Sequence, residues 1–193
     1  MSKYGLIHDN FNEYYNMVYS RWRINKEKAG KDIVGEEYES FRRRYYTSKG
    51  LEIGNRKNVL DSGVNTDLII VKDGKVVIVE EDKGSYIDGT FLKRSMIDAS
   101  LIFNSCNMKN IETPYFILSC PTKMLNYEET FNKLIVLFND TIRKELIEKF
   151  LYLPLCKNGR VGRDIYFKSV SNHFELSDDL LEDQEKLIDK IIG

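Results

Sequence analysis

The sequence predicts an α/β fold: a single domain with a small mixed β-sheet flanked by helices. Helical periodicity and short apolar runs typical of strands alternate along the 193 residues, and no repeat or Gly/Ser/Pro-rich linker separates them. Only three prolines occur, and two of them bound one of the apolar runs. We therefore expect one domain with N-terminal helices (1–50), a core (about 51–156) and a C-terminal loop and helix (157–193).

Two helices are predicted before the core. Asp9 can cap the first, and apolar residues at helical spacing indicate a second at about 36–48. Acidic residues open the second helix and arginines follow toward its end, an arrangement that suits the helix dipole. Helix formation alone therefore explains part of this charge pattern.

The core elements are predicted from periodicity and turn residues. A helical crossover precedes the apolar run at 113–120, so this strand should be parallel to its neighbour. Pro154 argues for an edge position for the strand that contains it. The expected elements are a hairpin (about 67–83), a helix from Asp88 to Asn107, strands at 113–120 and 151–156, a long amphipathic helix at 126–150 and a capped helix starting near Ser177.

Composition argues against several classes of function. Apolar residues make up 42% and charged residues 31%, as in soluble globular proteins, and the net charge of −1 neither supports nor excludes a nucleic-acid partner. No apolar stretch is long enough to span a membrane. Three isolated cysteines and two histidines are poorly suited to a disulfide framework, a zinc site or histidine-based hydrolysis. A reduced cytoplasmic protein with no membrane partner and no organic cofactor is expected.

The predicted hairpin, NTDLIIVKDGKVVIVEEDKG (65–84), ends in a cluster of charges. Glu81 and Lys83 are two residues apart, so they share one face of a strand, whereas Glu80 and Asp82 point to the other face. A carboxylate and an ammonium group side by side at the end of an apolar strand can hold a metal ion and a water molecule. A solvated strand end with Lys83 as a salt-bridge partner is the alternative.

The length of the turn decides whether an acid on the first strand joins this set. A two-residue turn at Asp73-Gly74 places Asp67 opposite Glu80. A three-residue loop with Gly74 at a G1 bulge places Val79 opposite Asp67 and makes Glu81 its diagonal neighbour. Glu81 is favoured as the partner in the second register, and Glu80 in the first.

These residues fit magnesium chemistry. Mg²⁺ prefers oxygen ligands and takes a few carboxylates together with waters and substrate phosphate. Asp67 and Glu81 could supply two oxygens, and the backbone carbonyl of Asp82 a third. The metal would polarise a phosphoryl oxygen and make water more acidic. Lys83 would orient or deprotonate the attacking water and stabilise the charge of a phosphorane-like transition state.

Asp67 followed by Glu81-Asp82-Lys83 after VVIVE resembles the PD-(D/E)xK nuclease superfamily, and the flanks look most like orthodox type II restriction endonucleases. The likeness covers about residues 36–156 and implies a restriction-endonuclease-like core with Asp67, Glu81 and Lys83 as catalytic residues. One departure is Thr66, where the family often has proline. A helix-borne glutamate often completes such sites; Glu37 is the candidate here, with Glu36 and Glu39 as rivals.

A DNA substrate requires basic residues near the site. Each basic group taken alone is typical of a solvated surface, but together they favour a polyanion-binding surface. One group is the run Arg42, Arg43 and Arg44 followed by Tyr45 and Tyr46. The candidates for DNA contact are Arg43, Arg44, Lys93, Arg94, Arg160 and Arg163.

The sequence therefore predicts a Mg²⁺-dependent type II restriction endonuclease that cuts double-stranded DNA at a short, palindromic site and leaves 5′-phosphates. Cutting both strands of a palindrome implies a homodimer, for which the helices at 126–150 and 177–192 are interface candidates or cover for the core. Two other functions remain open: a structure-specific repair or recombination nuclease, such as a junction resolvase, and a non-catalytic binding module on the same scaffold.

Overall fold

The computed structural model describes residues 31–83, 87–120, 124–154 and 178–193. The fold is α/β, with one open, mixed five-stranded sheet and helices on both of its faces, as the sequence predicts. The elements are α1 (Lys31–Ser48), β1 (Glu52–Ile53), β2 (Leu68–Lys72), β3 (Lys75–Asp82), α2 (Gly89–Lys109), β4 (Tyr115–Cys120), α3 (Tyr127–Ile135), α4 (Asp140–Lys149), β5 (Phe150–Pro154) and α5 (Asp178–Ile192).

The strands lie in the sheet in their chain order, β1 to β5. β1 pairs with β2 and β2 with β3 in antiparallel fashion, whereas β4 is parallel to β3 and β5 is parallel to β4. The parallel pairing of β4 confirms the prediction from the helical crossover. Among the described strands β5 lies at the edge of the sheet, as predicted from Pro154, since proline cannot donate a ladder hydrogen bond.

Apolar side chains fill both faces of the sheet. On one face α1 and α5 pack over β2, β3 and β4 through a cluster that includes Tyr38, Phe41, Ile78 and Ile188. On the other face α2, α3 and α4 cover a larger cluster. The two helical layers bury Ile78, Val79 and Glu80 completely, and of the acids that follow them Asp82 is buried and Glu81 half-buried.

The hairpin has a two-residue turn followed by a bulge. Asp73 and Gly74 have φ values of 51° and 74°, the left-handed pair of a type I′ turn, and Lys72 pairs with Lys75. The register then shifts, because Val77 has no partner between the pairs Val71–Val76 and Ile70–Ile78. Past the bulge Leu68 pairs with Glu80, so the next position, Asp67, lies opposite Glu81. Neither of the two registers expected from the sequence is correct.

The long helix predicted at 126–150 is wrong, because the chain forms two helices there. Helix α3 ends at Ile135, and α4 begins after Asn139, whose side chain accepts a hydrogen bond from the backbone N–H of Ile142 at 3.0 Å. A capping asparagine satisfies an otherwise unpaired N–H group at a helix start. The apolar periodicity continues across the break, which is why the sequence pattern suggested one helix.

The connection between β1 and β2, residues 54–67, has an unusual backbone. Asn58, Leu60 and Asp61 all have positive φ values. Non-glycine residues in this region cost about 1–3 kcal/mol each and persist only where surrounding contacts hold them. Ser105 and Lys109 of α2 provide such contacts, since both donate hydrogen bonds to the carbonyl of Leu60.

Some predictions fall outside the described residues: the helix capped by Asp9, the loop containing Arg160 and Arg163, and the cap of α5 at Ser177. Within the four described segments, no helix is both long enough and apolar enough to cross a membrane.

Candidate active site

Two carboxyl groups meet where β2 begins and β3 ends. Asp67 precedes β2 and Glu81 lies opposite it on β3, and their side chains share a hydrogen bond. The second carboxylate oxygen of Asp67, Oδ2, accepts the backbone N–H of Asp82 at 2.8 Å. Asp67 is therefore fixed by the backbone of the strand that carries its partner.

The proximity of these groups changes their pKa values. Burial and, to a smaller extent, the neighbouring Asp67 and Asp98 together raise the pKa of Glu81 to about 8, against the opposing charge of Arg94. Burial also raises the pKa of Asp67, against the effect of the hydrogen bond from the Asp82 N–H. The pair thus retains a proton near neutral pH in the absence of a cation, because two buried like charges disfavour full ionisation.

Lys83 lies on the same face as Glu81, one residue past the end of β3. Its backbone N–H donates to the carbonyl of Ser119 at 2.9 Å, which extends the pairing of β3 with β4. Its ammonium nitrogen lies 4.7 Å from the centroid of the Phe91 ring, a cation–π contact. Lys83 makes no ion pair with other described residues, so the simple salt-bridge alternative has no partner in this part of the chain.

The backbone of Asp82 also faces Asp67. In an extended strand the N–H and C=O of one residue point to the same edge. Since the Asp82 N–H bonds to Asp67, the carbonyl of Asp82 is directed toward the same side. This is the carbonyl that the sequence argument assigned as a third metal ligand.

Two charged pairs border the carboxyl groups. On one side Arg56 donates to Glu39 and, at 3.2 Å, to the carbonyl of Asp67. On the other side Arg94 and Asp98 of α2 form an ion pair of 3.8 Å, and both act on the pKa of Glu81. The sequence reasoning missed Arg56 and Asp98, since only the fold brings them near the hairpin.

Of the three candidate glutamates on α1, Glu39 interacts with the site. Its charge raises the pKa of Asp67, and Arg56 connects the two residues. Glu36 is exposed, and the side chain of Glu37 lies outside the described part of the chain. Glu39 is therefore the glutamate of α1 for which the structure gives a contact path to Asp67.

The opposite face of β3 has a structural role. Glu80 is fully buried and receives two hydrogen bonds from Arg42, at 2.6 and 3.0 Å, and another from Tyr46. Arg42, Tyr45 and Tyr46 are buried, so their expected part in the first DNA-contacting group is wrong: burial gives them packing and ion-pairing roles. The prediction that Glu80 and Asp82 point away from Glu81 is confirmed.

The remaining candidates for DNA contact lie at several places on the surface. Arg43 is partly exposed and pairs with Glu39 at 3.1 Å. Arg44 and Lys93 are exposed, and the side chain of Arg94 is 79% exposed beside Glu81. Of these, Arg94 is the residue whose positive charge lowers the pKa of Glu81.

The donor set fits Mg²⁺. Among the residues described, no group of three or more His, Cys, Asp or Glu side chains is placed to hold a metal ion. Two carboxylates and one backbone carbonyl remain, which is the small oxygen set that Mg²⁺ uses when waters and phosphate complete its shell.

No protein-family model, curated protein or solved structure matches the chain. Function is therefore inferred from the site itself, since one fold can support many activities.

Proposed function

We propose that the chain is a Mg²⁺-dependent endonuclease of the PD-(D/E)xK type that hydrolyses phosphodiester bonds of double-stranded DNA in the cytoplasm. The observation that carries the proposal is the pairing of Asp67 with Glu81, with Lys83 on the same face of β3. The bulge at Val77 produces this pairing, because it moves Glu81 opposite Asp67. Within this class the flanking sequence favours a type II restriction endonuclease.

The residues have distinct roles in this proposal. Asp67, Glu81 and the backbone carbonyl of Asp82 would hold Mg²⁺, which supplies positive charge to the phosphoryl oxygens and makes water more acidic. The hydrogen bond from the Asp82 N–H keeps the Asp67 carboxylate oriented. Lys83 would orient or deprotonate the attacking water and stabilise the negative charge that develops as the new P–O bond forms and the P–O3′ bond breaks. The Phe91 ring limits the positions open to the Lys83 ammonium.

A sequence-specific enzyme of this size would act as a homodimer on palindromic DNA. The apolar side of α5 is used within the chain, since Leu187, Ile188 and Ile191 pack against the core under α1. Exposed apolar residues around α3 and α4, Val136, Leu137 and Ile147, remain as interface candidates.

Incubation with supercoiled plasmid and Mg²⁺ tests the activity. We expect discrete bands that disappear in EDTA and in Asp67→Asn, Glu81→Gln and Lys83→Ala. Asp73→Asn and Lys75→Ala are matched controls at the turn end of the same strands, and asparagine tolerates the positive φ at position 73. Both controls should cut as the wild-type protein does.

The outcomes separate the competing functions. Sequencing the fragment ends reports the recognition site, the stagger and the 5′-phosphates together. Cleavage of branched DNA without fixed plasmid bands would indicate a structure-specific nuclease instead. DNA binding without any Mg²⁺-dependent turnover would indicate a non-catalytic module. Undiminished cutting by both Asp67→Asn and Glu81→Gln would refute the site assignment.

A further inference from the structure

We propose that residues 55–58 (Asn-Arg-Lys-Asn), here called the basic loop, form a second surface that contacts the sugar–phosphate backbone of duplex DNA. The inference rests on the proposed nuclease function, because it assigns a contact to the same substrate. All four residues are exposed and follow one another without interruption. The loop was not among the DNA-contact candidates identified from the sequence.

The basic loop starts at the edge of the candidate active site. The N–H of Gly54 donates to the carbonyl of Ile69 at 2.8 Å, so the chain is still beside β2 when it enters the loop. The N–H of Thr66 then donates to the carbonyl of Arg56 at 3.2 Å, and the Arg56 side chain reaches the carbonyl of Asp67. A duplex bound at Asp67 would therefore lie beside this loop.

The loop is held in one conformation. The side-chain oxygen of Asn58 accepts the N–H of Gly63 at 2.8 Å, and the backbone N–H of Asn58 donates to the Asn65 side chain at 2.9 Å. Val59 and Val64 anchor the loop in the core under α2. Strained backbone that the surrounding structure fixes so fully is typical of functional surfaces, where it pre-organises the contacting groups.

The exposed groups suit a phosphodiester partner. Lys57 makes no ion pair with the described residues, and the guanidinium of Arg56 is 45% exposed while it bonds Glu39. Asn55 is exposed and uses its side-chain oxygen to accept the backbone N–H of Lys57, so its amide NH₂ is the group that remains to donate. An open groove of about 570 Å³ separates this stretch from β2. Lysine, arginine and amide donors are the groups that bind DNA phosphates without reading sequence.

Lys57→Glu tests the proposal, with Lys144→Glu as a matched control. Lys144 is an exposed lysine of α4, and its neighbour Glu145 accepts hydrogen bonds from Asn107 of α2 and from Thr113. Binding of a fluorescein-labelled duplex of mixed sequence is followed by anisotropy in Ca²⁺ over a range of salt concentrations. Thermal melting of both variants checks that the fold is unchanged.

We expect Lys57→Glu to weaken binding roughly 3- to 10-fold at low salt and to lower the slope of log K against log salt by about 1, as the loss of one phosphate contact requires. Lys144→Glu should bind as the wild-type protein does. Equal affinity and slope for Lys57→Glu and wild type would overturn the loop assignment. If Lys57→Glu binds the duplex more weakly but the wild-type protein does not cleave DNA, the loop assignment stands and the nuclease proposal is refuted. A wild-type protein that binds no duplex would refute both.

Discussion

Replacing Glu81 with glutamine should stabilise the protein at alkaline pH and change its stability little at mildly acidic pH. Burial and the neighbouring Asp67 raise the pKa of Glu81 from 4.5 to about 8. Between these two pH values the folded state holds a proton that the unfolded state has released, so the stability of the wild-type protein falls as the pH rises. Glutamine carries no charge at any pH, and its amide can still donate a hydrogen bond to Asp67.

The size of the effect follows from the difference between the two pKa values. A pKa change of one corresponds to about 1.4 kcal/mol, so a rise from 4.5 to about 8 limits the penalty of ionised Glu81 to about 5 kcal/mol. Asp67 takes part in the same titration and relaxes when its neighbour becomes neutral. We therefore expect Glu81→Gln to gain about 2–4 kcal/mol relative to wild type at about pH 9.

Urea denaturation in EDTA, at about pH 5 and about pH 9, measures this difference. Glu112→Gln changes an exposed glutamate after α2 and should show no pH-dependent difference from wild type. Addition of Mg²⁺ at pH 9 should stabilise the wild-type protein more than Glu81→Gln, because binding to the folded state adds to its stability. A wild-type-to-variant difference that is the same at both pH values would refute the reasoning.

Three further predictions concern other contacts. Arg42→Met should destabilise the protein by about 3–5 kcal/mol in urea denaturation, because it leaves Glu80 buried without its charge partner. For the proposed nuclease, Phe91→Ala should lower kcat of cleavage several-fold and leave KM nearly unchanged, since the ring contacts the Lys83 ammonium; a change confined to KM would contradict this. Asn139→Ala should cost about 1 kcal/mol of unfolding free energy by removing the cap of α4.

The sequence was sufficient to predict which charges of β3 share a face. Glu81 and Lys83 on one side, and Glu80 and Asp82 on the other, follow from the two-residue period of a strand, and the structure has this arrangement. The parallel strand β4 followed in the same way from the helix before it. Both predictions depend on local patterns that tertiary contacts leave unchanged.

The hairpin register could not be predicted, for a physical reason. Positions 76–79 are Val-Val-Ile-Val, and an uninterrupted apolar run carries no alternation that would show which residue bulges. The turn itself was visible as Asp73-Gly74. The bulge at Val77 then shifts the pairing by one residue, so the turn does not fix which acid lies opposite Asp67. The burial of Arg42 was also hidden, because three consecutive arginines on α1 look alike until the sheet is in place.

The consecutive acids of β3 have a consequence for how this strand finds its place. If β3 slipped by one residue, Glu81 would face Arg42 and Glu80 would face Asp67. Both faces of the sheet would therefore still receive a carboxylate, although the pairing would be wrong. Electrostatic matching of the acids therefore discriminates poorly between the two frames. The discrimination has to come from Lys83, which would turn toward the aromatic side chains of α1, and from the unpaired Val77, which sets the frame before the acids are reached. Pairing of Val77 with Ile70, in place of the bulge, would exchange the carboxylate that is neutralised in the core with the one that lies opposite Asp67.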